Sequence, residues 1–584
     1  MDFKGFYHEN KSKYAYAVDL HTMHIRLRTG RDDVSKVTLV VFDPYEWNKT
    51  ETGEYALTGI NELNMNIEQT TRYHDWWFAT APIPTKRTKY GFIVENGDEK
   101  YLYGPGGETP YKAEDGSIVD FIRKSSHLCY LYPYILEADL FNPPKWVENT
   151  IWYQIFPERY ANSGLETLRK GELLPWGSQE KVNNSHLYGG DLPGITAHLD
   201  DIKDLGFNGI YMTPIFAATT THKYDTEDYY QIDPAFGDHR LFRELVDEAH
   251  KRGIRIMIDL VFNHIGHTHP FWLDVVANGT ASRYYNWFWV REDGTYETFA
   301  KVKAMPKWNT DNPEAREYLI NVALYWAQSF DIDGFRLDVA NEVSHDFWRE
   351  FRTRLRKVNP QIYILGEVWD NGISWLGGDQ FDAVMNYPLT TAIWNYVSGD
   401  VSGTALKEEI ANSLVMYPRN RQSVMFNLIG SHDTSRILTL CKGRPELVKQ
   451  AFTLLLTMPG SPMCFYGDEV GLAGDGMDDT RKCMIWDDAK RDKDLEAFVC
   501  KLNNLRTAND DMRTIEVEWI QADSKAVVYK KGRLVVVLNC QDTDATILLP
   551  TDMKVYDLIN DCIITHSKLE MPNYGVCILT KMED

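Results

Sequence analysis

Eight short apolar segments recur between residues 150 and 470, and most of them end in a polar or charged cluster. Helical patterns such as Leu241–His250 and Glu314–Phe330 separate neighbouring segments. Eight strand–helix units in about 350 residues predict a closed parallel (β/α)8 barrel rather than an open sheet. The segments that we interpret as the barrel strands are Ile151–Phe156, Gly209–Thr213, Arg255–Val261, Gly334–Val339, Tyr363–Glu367, Ala383–Met385, Val424–Leu428 and Met463–Tyr466.

Both flanks of the barrel show β-patterns instead. Residues 1–130 contain short alternating segments separated by Gly, Asp and Pro, which is typical of a β-sandwich. Strand patterns return after Leu505 and predict a small antiparallel β domain over 506–584. The barrel domain would then span 131–505, with a small inserted subdomain at about 264–308, because a loop of that length is usually functional. The prediction is a multidomain chain with an N-terminal β-sandwich, a central TIM barrel and a C-terminal antiparallel β domain.

Composition narrows the classes of partner and the compartment. The formal net charge of −22 disfavours nucleic acid and anionic membranes as partners. No apolar stretch is long enough to span a membrane, and Met1–His8 lacks the apolar core of a signal peptide. The eight cysteines form no CxxC pair, which favours free thiols in a reducing, cytoplasmic environment. Most of the aromatic residues, which make up 13% of the chain, are expected in the hydrophobic cores. The high content also suits a groove in which aromatic side chains stack against sugar rings.

Three carboxylates stand where predicted barrel strands end. They are Asp338 in Gly-Phe-Arg-Leu-Asp, Glu367 in Ile-Leu-Gly-Glu-Val and Asp433 in Gly-Ser-His-Asp-Thr. Catalytic groups of parallel barrels collect at the carboxyl ends of the strands. Two carboxylates on facing strands are the minimal machinery for cleaving a glycosidic bond. The sequence therefore predicts an enzyme that acts on carbohydrate.

Arg336 and Asp338 lie two residues apart on one predicted strand, so their side chains share a face. A guanidinium beside a carboxylate lowers the pKa of that carboxylate and keeps it ionised, as a nucleophile requires. The alternative is a buried Arg–Asp pair that only ties strands together. Glu367 would be the acid that protonates the leaving oxygen, and the alternative there is a capping or solvated glutamate.

Two histidines accompany these carboxylates. His432 precedes Asp433, and His264 ends the segment Asp259-Leu-Val-Phe-Asn-His. A lone histidine in such a place is more often structural. Two histidines beside Asp or Asn at one barrel mouth favour hydrogen bonding to sugar hydroxyls.

Together these four segments resemble the fingerprints of the α-amylase family, glycoside hydrolase family 13, and they occur in the family's order. The resemblance implies a (β/α)8 barrel and retention of the α-anomeric configuration. It also implies that Asp338 is the nucleophile, Glu367 the acid/base and Asp433 the transition-state stabiliser. The residues that it implies for sugar binding are His222, Tyr224, Asp259, His264, Arg336, Asn341, Glu342 and His432.

Other segments look like the neopullulanase, cyclomaltodextrinase and maltogenic amylase subgroup. They are Tyr153–Arg159, Val339–Glu342, Phe381–Pro388, Tyr7-His8 and Arg26–Thr29. The resemblance implies hydrolysis of α-1,4 bonds in cyclodextrins, maltooligosaccharides, pullulan or starch, with some transglycosylation. It also implies a homodimer, in which the N-terminal starch-binding-type module narrows the partner's active site. The alternatives are an α-1,6-glucosidase or glucan transferase of the same family, and a non-catalytic carbohydrate-binding protein.

One segment departs from the pattern of the relatives. Relatives often bind calcium after the first strand through a loop rich in Asn and Asp, and here that loop is Ala161–Leu168. Asn162 and Asp191 remain, but positions 164, 167 and 168 offer poor ligands for an ion that takes about six to eight oxygens. We therefore expect that no cofactor is required and that any calcium site is lost or weak.

Overall fold

The computed structural model describes residues 1–49, 53–165, 171–549, 554–565 and 567–582. The chain forms two compact units. The first comprises Met1–Asn142 with Lys407–Gln422, and the second comprises Pro143–Leu406 with Ser423–Asp584. The first unit therefore extends past residue 130 and takes in a segment from the region predicted as barrel. The domain bounds 1–130, 131–505 and 506–584 stay predictions.

The first unit is the predicted β-sandwich. Buried residues of both sheets, such as Ile25, Leu27, Val37, Leu39 and Phe92, form one apolar core, because alternate side chains of each strand face inward. In the described chain, the strands of the first sheet, in order, are Ala15–Asp19, Thr22–Gly30, His74–Pro82 and Asn66–Thr70. Those of the second are Gly107–Pro110, Glu99–Gly104, Thr88–Asn96, Lys36–Phe42 and Asn61–Asn64, with Tyr130–Tyr132 paired to Thr88–Asn96 and a separate hairpin of Trp47–Lys49 and Tyr55–Leu57.

The second unit contains the predicted barrel. Its strands within the described residues are β1 (Trp152–Ile155), β2 (Gly209–Met212), β3 (Arg255–Leu260), β4 (Gly334–Leu337), β5 (Tyr363–Gly366), β6 (Ala383–Val384), β7 (Phe426–Leu428) and β8 (Ser461–Phe465). They pair in parallel in the order β6-β5-β4-β3-β2-β1-β8-β7. A parallel bridge between Met385 and Phe426 joins the two ends, so the sheet closes. Each predicted strand overlaps an observed one, which confirms the (β/α)8 architecture.

Helices follow the strands, as parallel crossovers require. The two helices predicted above are observed as His239–Lys251 and Pro313–Phe330, and the side chains of Asp238 and Asn312 cap their first turns. No helix in the described ranges is long and apolar enough to cross a membrane. The other described α-helices are Ile118–Ser125, Pro157–Tyr160, Leu192–Ala197, Leu199–Asp204, Pro270–Asn278, His345–Val358, Tyr387–Val397, Gly403–Met416, Arg419–Gln422, Ile437–Leu440, Pro445–Thr457, Gly476–Asp479 and Lys493–Ala508.

The predicted C-terminal β domain is also present, whereas an inserted subdomain at about 264–308 stays a prediction. The segment 264–308 holds the helix Pro270–Asn278, and an antiparallel bridge joins Phe288 to Trp308. The C-terminal domain is antiparallel, as predicted, and buries an apolar core that includes Val528 and Val537. Its described strands are Glu518–Ala522, Ala526–Lys531, Leu534–Asn539, Val576–Lys581, Val555–Asp557 and Cys562–Ile564 in one sheet, with Ala545–Leu548 paired to Lys568–Met571.

Asp333 ties the amino end of β4 to its neighbours. Its carboxylate accepts hydrogen bonds from Ile256 N at 2.8 Å and from Arg255 Nη1 at 2.7 Å, and it lies 2.8 Å from His250 Nε2. Asp382 repeats the arrangement before β6, where it accepts from Ile364 N at 2.9 Å. These contacts lie at the opposite end of the strands from the candidate site, where barrel residues serve stability.

We expect His250→Ala to destabilise the protein more at about pH 5.5 than at about pH 8.5. The hydrogen bond to Asp333 raises the pKa of His250 above its ordinary 6.5. The stabilisation is therefore complete below that value and is lost as the pH rises through the pKa of the folded protein. About 1 kcal/mol is expected at the lower pH. Thermal unfolding of both proteins at the two pH values measures it, and an equal or larger cost at the higher pH would contradict it.

Candidate active site

The buried guanidinium of Arg336 contacts three carboxylates, which lie at the carboxyl ends of β3, β4 and β5. Arg336 Nη1 lies 2.7 Å from Asp338 Oδ1 and 3.0 Å from Asp259 Oδ2. Arg336 Nη2 lies 2.7 Å from Glu367 Oε1, a charge contact without hydrogen-bond alignment. The Arg336 side chain is 0% exposed, and such burial is tolerable only with counter-charges in contact.

The register of β3, β4 and β5 brings Asp259, Arg336 and Glu367 together at the carboxyl end of the barrel strands. In the β3–β4 ladder Asp259 pairs with Arg336, and Glu367 N donates to Leu337 O at 2.9 Å where β4 adjoins β5. Gly366 permits this approach, because a Cβ at that position would collide with the ring of Phe381. Local sequence thus places Glu367 beside the end of β4.

Burial shifts the protonation of two of the carboxylates that contact Arg336, namely Asp338 and Asp259. Burial and the charge of Glu367 raise the pKa of Asp338 well above its ordinary value, although Arg336 opposes the shift. Burial likewise raises the pKa of Asp259. The lowered pKa predicted for Asp338 from its pairing with Arg336 is wrong, because burial and the charges of Glu367 and Asp259 outweigh the charge of Arg336. Asp338 and Asp259, taken together, therefore retain a proton to higher pH than an isolated carboxyl would.

Asp433, after β7, is held in the ionised form. Its Oδ2 lies 2.8 Å from His432 Nε2, and its Oδ1 accepts from Arg481 Nη2 at 3.1 Å. Burial opposes ionisation, but the charges and hydrogen bonds of His432 and Arg481 outweigh it and lower the pKa of Asp433. Gln154 of β1 contacts the other nitrogen of His432 at 2.7 Å, which fixes the ring.

Tyr224 links the two sets of carboxylates. Its hydroxyl lies 3.0 Å from Asp259 Oδ2 and 2.6 Å from His432 Nε2. Its ring stacks on that of His432, with an interplanar angle of 8° and a centroid separation of 5.4 Å. The predicted residues Asp259, Arg336, Asp338, Glu367, Tyr224, His432 and Asp433 therefore form one continuous cluster.

The other two predicted histidines are uncharged near neutral pH. Burial lowers the pKa of His222 to about 4 and that of His264 to about 3. His264 stacks on Phe299 of the segment 264–308 at 4.9 Å, and its Nε2 has no hydrogen-bond partner within the described residues. A neutral imidazole with a free nitrogen can bond a sugar hydroxyl without bringing a further charge to the site.

Asn341 and Glu342 lie apart from that cluster. Both are exposed, and they lie in a single turn, Ala340–Glu342, that follows β4. Glu342 forms an ion pair of 2.7 Å with Lys307, which belongs to the segment 264–308. The structure therefore gives Glu342 a role in tying that segment to the end of β4, and a contact of either residue with sugar stays a prediction.

Four contributors were not anticipated from the sequence: Gln154, Tyr211, Trp369 and Arg481. Tyr211 of β2 donates to Asp259 Oδ2 at 2.7 Å, and Trp369 Nε1 donates to Glu367 Oε1 at 3.2 Å. The Trp369 ring is 45% exposed and stacks on Tyr387 at 3.9 Å. Polar groups inside the apolar strands β1 and β2 were the available signal for Gln154 and Tyr211. Arg481 lies in an aperiodic segment after β8 and carried no such signal.

The described part of the loop after β1 does not fit a calcium ion. Ser163 donates to Asp191 through its hydroxyl at 2.9 Å and through its N–H at 3.3 Å, and Gly194 N donates to Asp191 at 2.8 Å. The side-chain oxygen of Asn162 accepts from Gly164 N at 2.7 Å. Hydrogen-bond donors thus occupy the oxygens that a cation would need. Positions 167 and 168 lie outside the described residues.

We therefore expect that chelation will leave activity and thermal stability unchanged. An ion bound to the folded state would stabilise it by mass action, so adding calcium would raise the melting temperature. Thermal unfolding and activity in EDTA, and again with excess calcium, measure this directly. A large fall in melting temperature with EDTA that calcium restores would contradict it.

The barrel and the carboxylates at its strand ends define a glycoside hydrolase. Similarity of the sequence to known protein families shows which family it is. Residues 154–568 match the α-amylase catalytic domain, and residues 1–122 match the α-amylase N-terminal Ig-like domain. The chain belongs to the α-amylase family.

Individual relatives match almost the whole length. The chain is 41% identical to a cyclomaltodextrinase of Geobacillus thermopakistaniensis, over 99% of this chain and 97% of that protein. It is 42% identical to the intracellular maltogenic amylase of Bacillus subtilis, over 90% of this chain and 88% of that protein. A solved cyclomaltodextrinase structure has a TM-score of 0.90 and 39% identity, over 100% of both chains.

Proposed function

We propose that the protein hydrolyses α-1,4-glucosidic bonds in two displacement steps with retention. Asp338 attacks C1 while Glu367 gives its proton to the leaving oxygen, so the glucosidic C–O bond breaks as a glucosyl ester of Asp338 forms. Glu367 then takes a proton from water, and the water oxygen displaces Asp338. The observation that carries this proposal is the contact of both carboxylates with one buried guanidinium, that of Arg336.

Asp433 would stabilise the positive charge that develops on the sugar in the transition state of each step. The transition state resembles an oxocarbenium ion, and a fixed carboxylate lowers its energy most in a site from which water is excluded. The ionised state of Asp433 and its hold by Arg481 support this role. His222, Tyr224, His264 and His432 would hold the hydroxyls and the face of the sugar at this position.

The proposed substrates are cyclodextrins, maltooligosaccharides, pullulan and starch. The names of the matched relatives, cyclomaltodextrinase and maltogenic amylase, support this choice. Some transglycosylation is expected as well, because an acceptor sugar can intercept the ester of Asp338 in place of water.

Reducing-sugar release from β-cyclodextrin, starch and pullulan in parallel tests the substrate class. We expect the highest rate on β-cyclodextrin. The pullulan products decide the bond type, since panose marks α-1,4 cleavage and maltotriose marks α-1,6 cleavage. Maltotriose as the product would favour the α-1,6-glucosidase alternative, and disproportionation without net hydrolysis would favour a glucan transferase. Binding without turnover on all three would leave only the non-catalytic alternative.

We further propose that the protein works as a homodimer whose β-sandwich narrows the partner's active site. Exposed aromatic side chains on the sandwich suit such a contact, and Tyr45, Trp47 and Tyr55 are 75%, 47% and 70% exposed near one hairpin. A lasting dimer should bury more than about 2,000 Å².

Light scattering on the full chain should therefore give twice the monomer mass. Tyr45→Ser with Tyr55→Ser should weaken the dimer and raise activity on starch relative to β-cyclodextrin. Tyr73→Ser is the matched control, because Tyr73 is 66% exposed in the turn between the strands Asn66–Thr70 and His74–Pro82, away in sequence from that hairpin. A full-length monomer with an undiminished preference for cyclodextrin would refute the proposal.

The proposed compartment is the cytoplasm. The relative from Bacillus subtilis is named as intracellular, and the cysteines of the described chain are free. Cell fractionation with an antibody against the protein tests this, and enrichment outside the cytoplasmic fraction would contradict it.

A further inference from the structure

The backbone turns abruptly at Val339, the residue after Asp338. Its φ of 45° and ψ of 44° lie in the left-handed region. That region disfavours β-branched side chains more than others. Among the non-glycine residues of the described chain that have a positive φ, Val339 is the one with a β-branched side chain. Such a conformation persists only where the surroundings impose it, and it often marks a functional constraint.

The surroundings of Val339 do impose this turn. Asp338 N still donates to Leu260 O at 3.0 Å, so the strand is held up to the residue before the turn. Glu342 N donates to Val339 O at 3.1 Å, so the next turn is held as well. The change of direction must therefore occur at this single residue.

The turn redirects one hydrogen bond of the barrel ladder. Between β4 and β5, Tyr363 N donates to Asp333 O and Glu367 N donates to Leu337 O. A parallel ladder alternates evenly, so its next bond would run from Val339 N to the main-chain carbonyl of Glu367. Val339 N instead donates to the side-chain oxygen Oε2 of Glu367, at 2.8 Å. A ladder donor is thus diverted from the backbone to a carboxylate.

We propose that Val339 is a positioning residue for the acid/base, and that its main-chain N–H fixes the orientation of the Glu367 carboxyl group. This rests on the proposed function, in which Glu367 protonates the leaving oxygen. The neighbouring contacts of Glu367, from Trp369 Nε1 at 3.2 Å and Arg336 Nη2 at 2.7 Å, go to its other oxygen, Oε1. The terminal torsion of a glutamate has a broad, shallow minimum, so holding both oxygens is what stops it turning.

The effect of losing the hydrogen bond from Val339 N to Glu367 should depend on the leaving group of the substrate. A sugar leaving group needs a proton from Glu367 as the C–O bond breaks. The fluoride of α-maltosyl fluoride leaves without one, while attack by Asp338 is common to both substrates. A loosened Glu367 should therefore slow β-cyclodextrin hydrolysis and spare α-maltosyl fluoride. General damage to the site would slow both equally.

The sharpest variant replaces Val339 by α-hydroxyisovaleric acid, which exchanges the N–H for an ester oxygen and keeps the side chain. We expect kcat/KM for β-cyclodextrin to fall about tenfold or more, with less than about threefold change for α-maltosyl fluoride. The same replacement at Val343 is the matched control. Its N–H donates to Ala340 O in the same loop and does not touch Glu367, so the ratio of the two rates should stay unchanged.

A second variant, Val339→Gly, keeps the test decisive if the ester protein does not fold. Glycine relieves the left-handed strain but also frees the turn, so a smaller selective loss on β-cyclodextrin is expected. Asp331→Gly is the control for this variant. It relieves the strain of a comparable positive φ, 55°, at the end of the helix Pro313–Phe330, and it should leave both rates unchanged. Equal losses on the two substrates, or no loss in a folded variant, would overturn the proposal. A wild type inactive on both substrates would contradict the proposed function instead.

Discussion

Replacing Asp338 by Asn should lower kcat on the order of thousands-fold and leave the fold intact. The amide has nearly the shape of the carboxylate but cannot form the ester with C1. It also removes one negative charge from three carboxylates that share Arg336, so the melting temperature should stay the same or rise. Reducing-sugar assays and thermal unfolding measure the two effects.

Asp346→Asn is the matched control, because Asp346 lies on the helix after β4 with a side chain that is 78% exposed. It should leave both kcat and melting temperature unchanged. Rates near those of the wild type for Asp338→Asn would remove Asp338 from the nucleophile's role. So would a first product with the β-configuration, because two displacements retain the α-configuration of the substrate.

Replacing Arg336 by Met should abolish activity and destabilise the fold by about 3–5 kcal/mol. The change leaves Asp259, Asp338 and Glu367 buried without their shared counter-charge. Lowering the pH protonates these carboxylates, so the cost in stability should shrink as the pH falls. Thermal unfolding at several pH values measures it.

Arg336→Lys separates charge from geometry at the same position. A lysine keeps the charge, but one ammonium cannot reach the partners of both Nη1 and Nη2. We expect stability between that of Arg336→Met and the wild type, with activity still strongly reduced. A melting temperature equal to the wild type for Arg336→Met would show that the three carboxylates are not held by this guanidinium.

Much of the barrel could be predicted because its signals are local and periodic. The helix expected at Glu314–Phe330 is observed as Pro313–Phe330, where Asn312 caps the first turn and Pro313 opens the helix. The positions of Asp338 and Glu367 followed from the same periodicity, because each ends an apolar segment. Two residues at the ends of adjacent parallel strands necessarily lie close together.

The parts of the site that the sequence could not show depend on distant segments meeting. Arg481 reaches Asp433 and the carbonyl of His432 from a loop after β8 that has no periodic pattern. The raised pKa of Asp338 is a property of four groups together, and a rule for the Arg336–Asp338 pair alone gave the opposite direction. The left-handed turn at Val339 is imposed by hydrogen bonds on both sides and is invisible in a residue that favours extended structure.

The most direct test of the account is to trap the ester on Asp338. A 5-fluoro α-glucosyl fluoride slows both displacements, while its good leaving group allows the first to proceed, so the glycosyl-enzyme should accumulate. Mass spectrometry of the digested protein should then find one added fluoroglucosyl unit, on the peptide that contains Asp338. A label on Glu367 or Asp433, or an active enzyme that never becomes labelled and releases the β-anomer, would contradict the account.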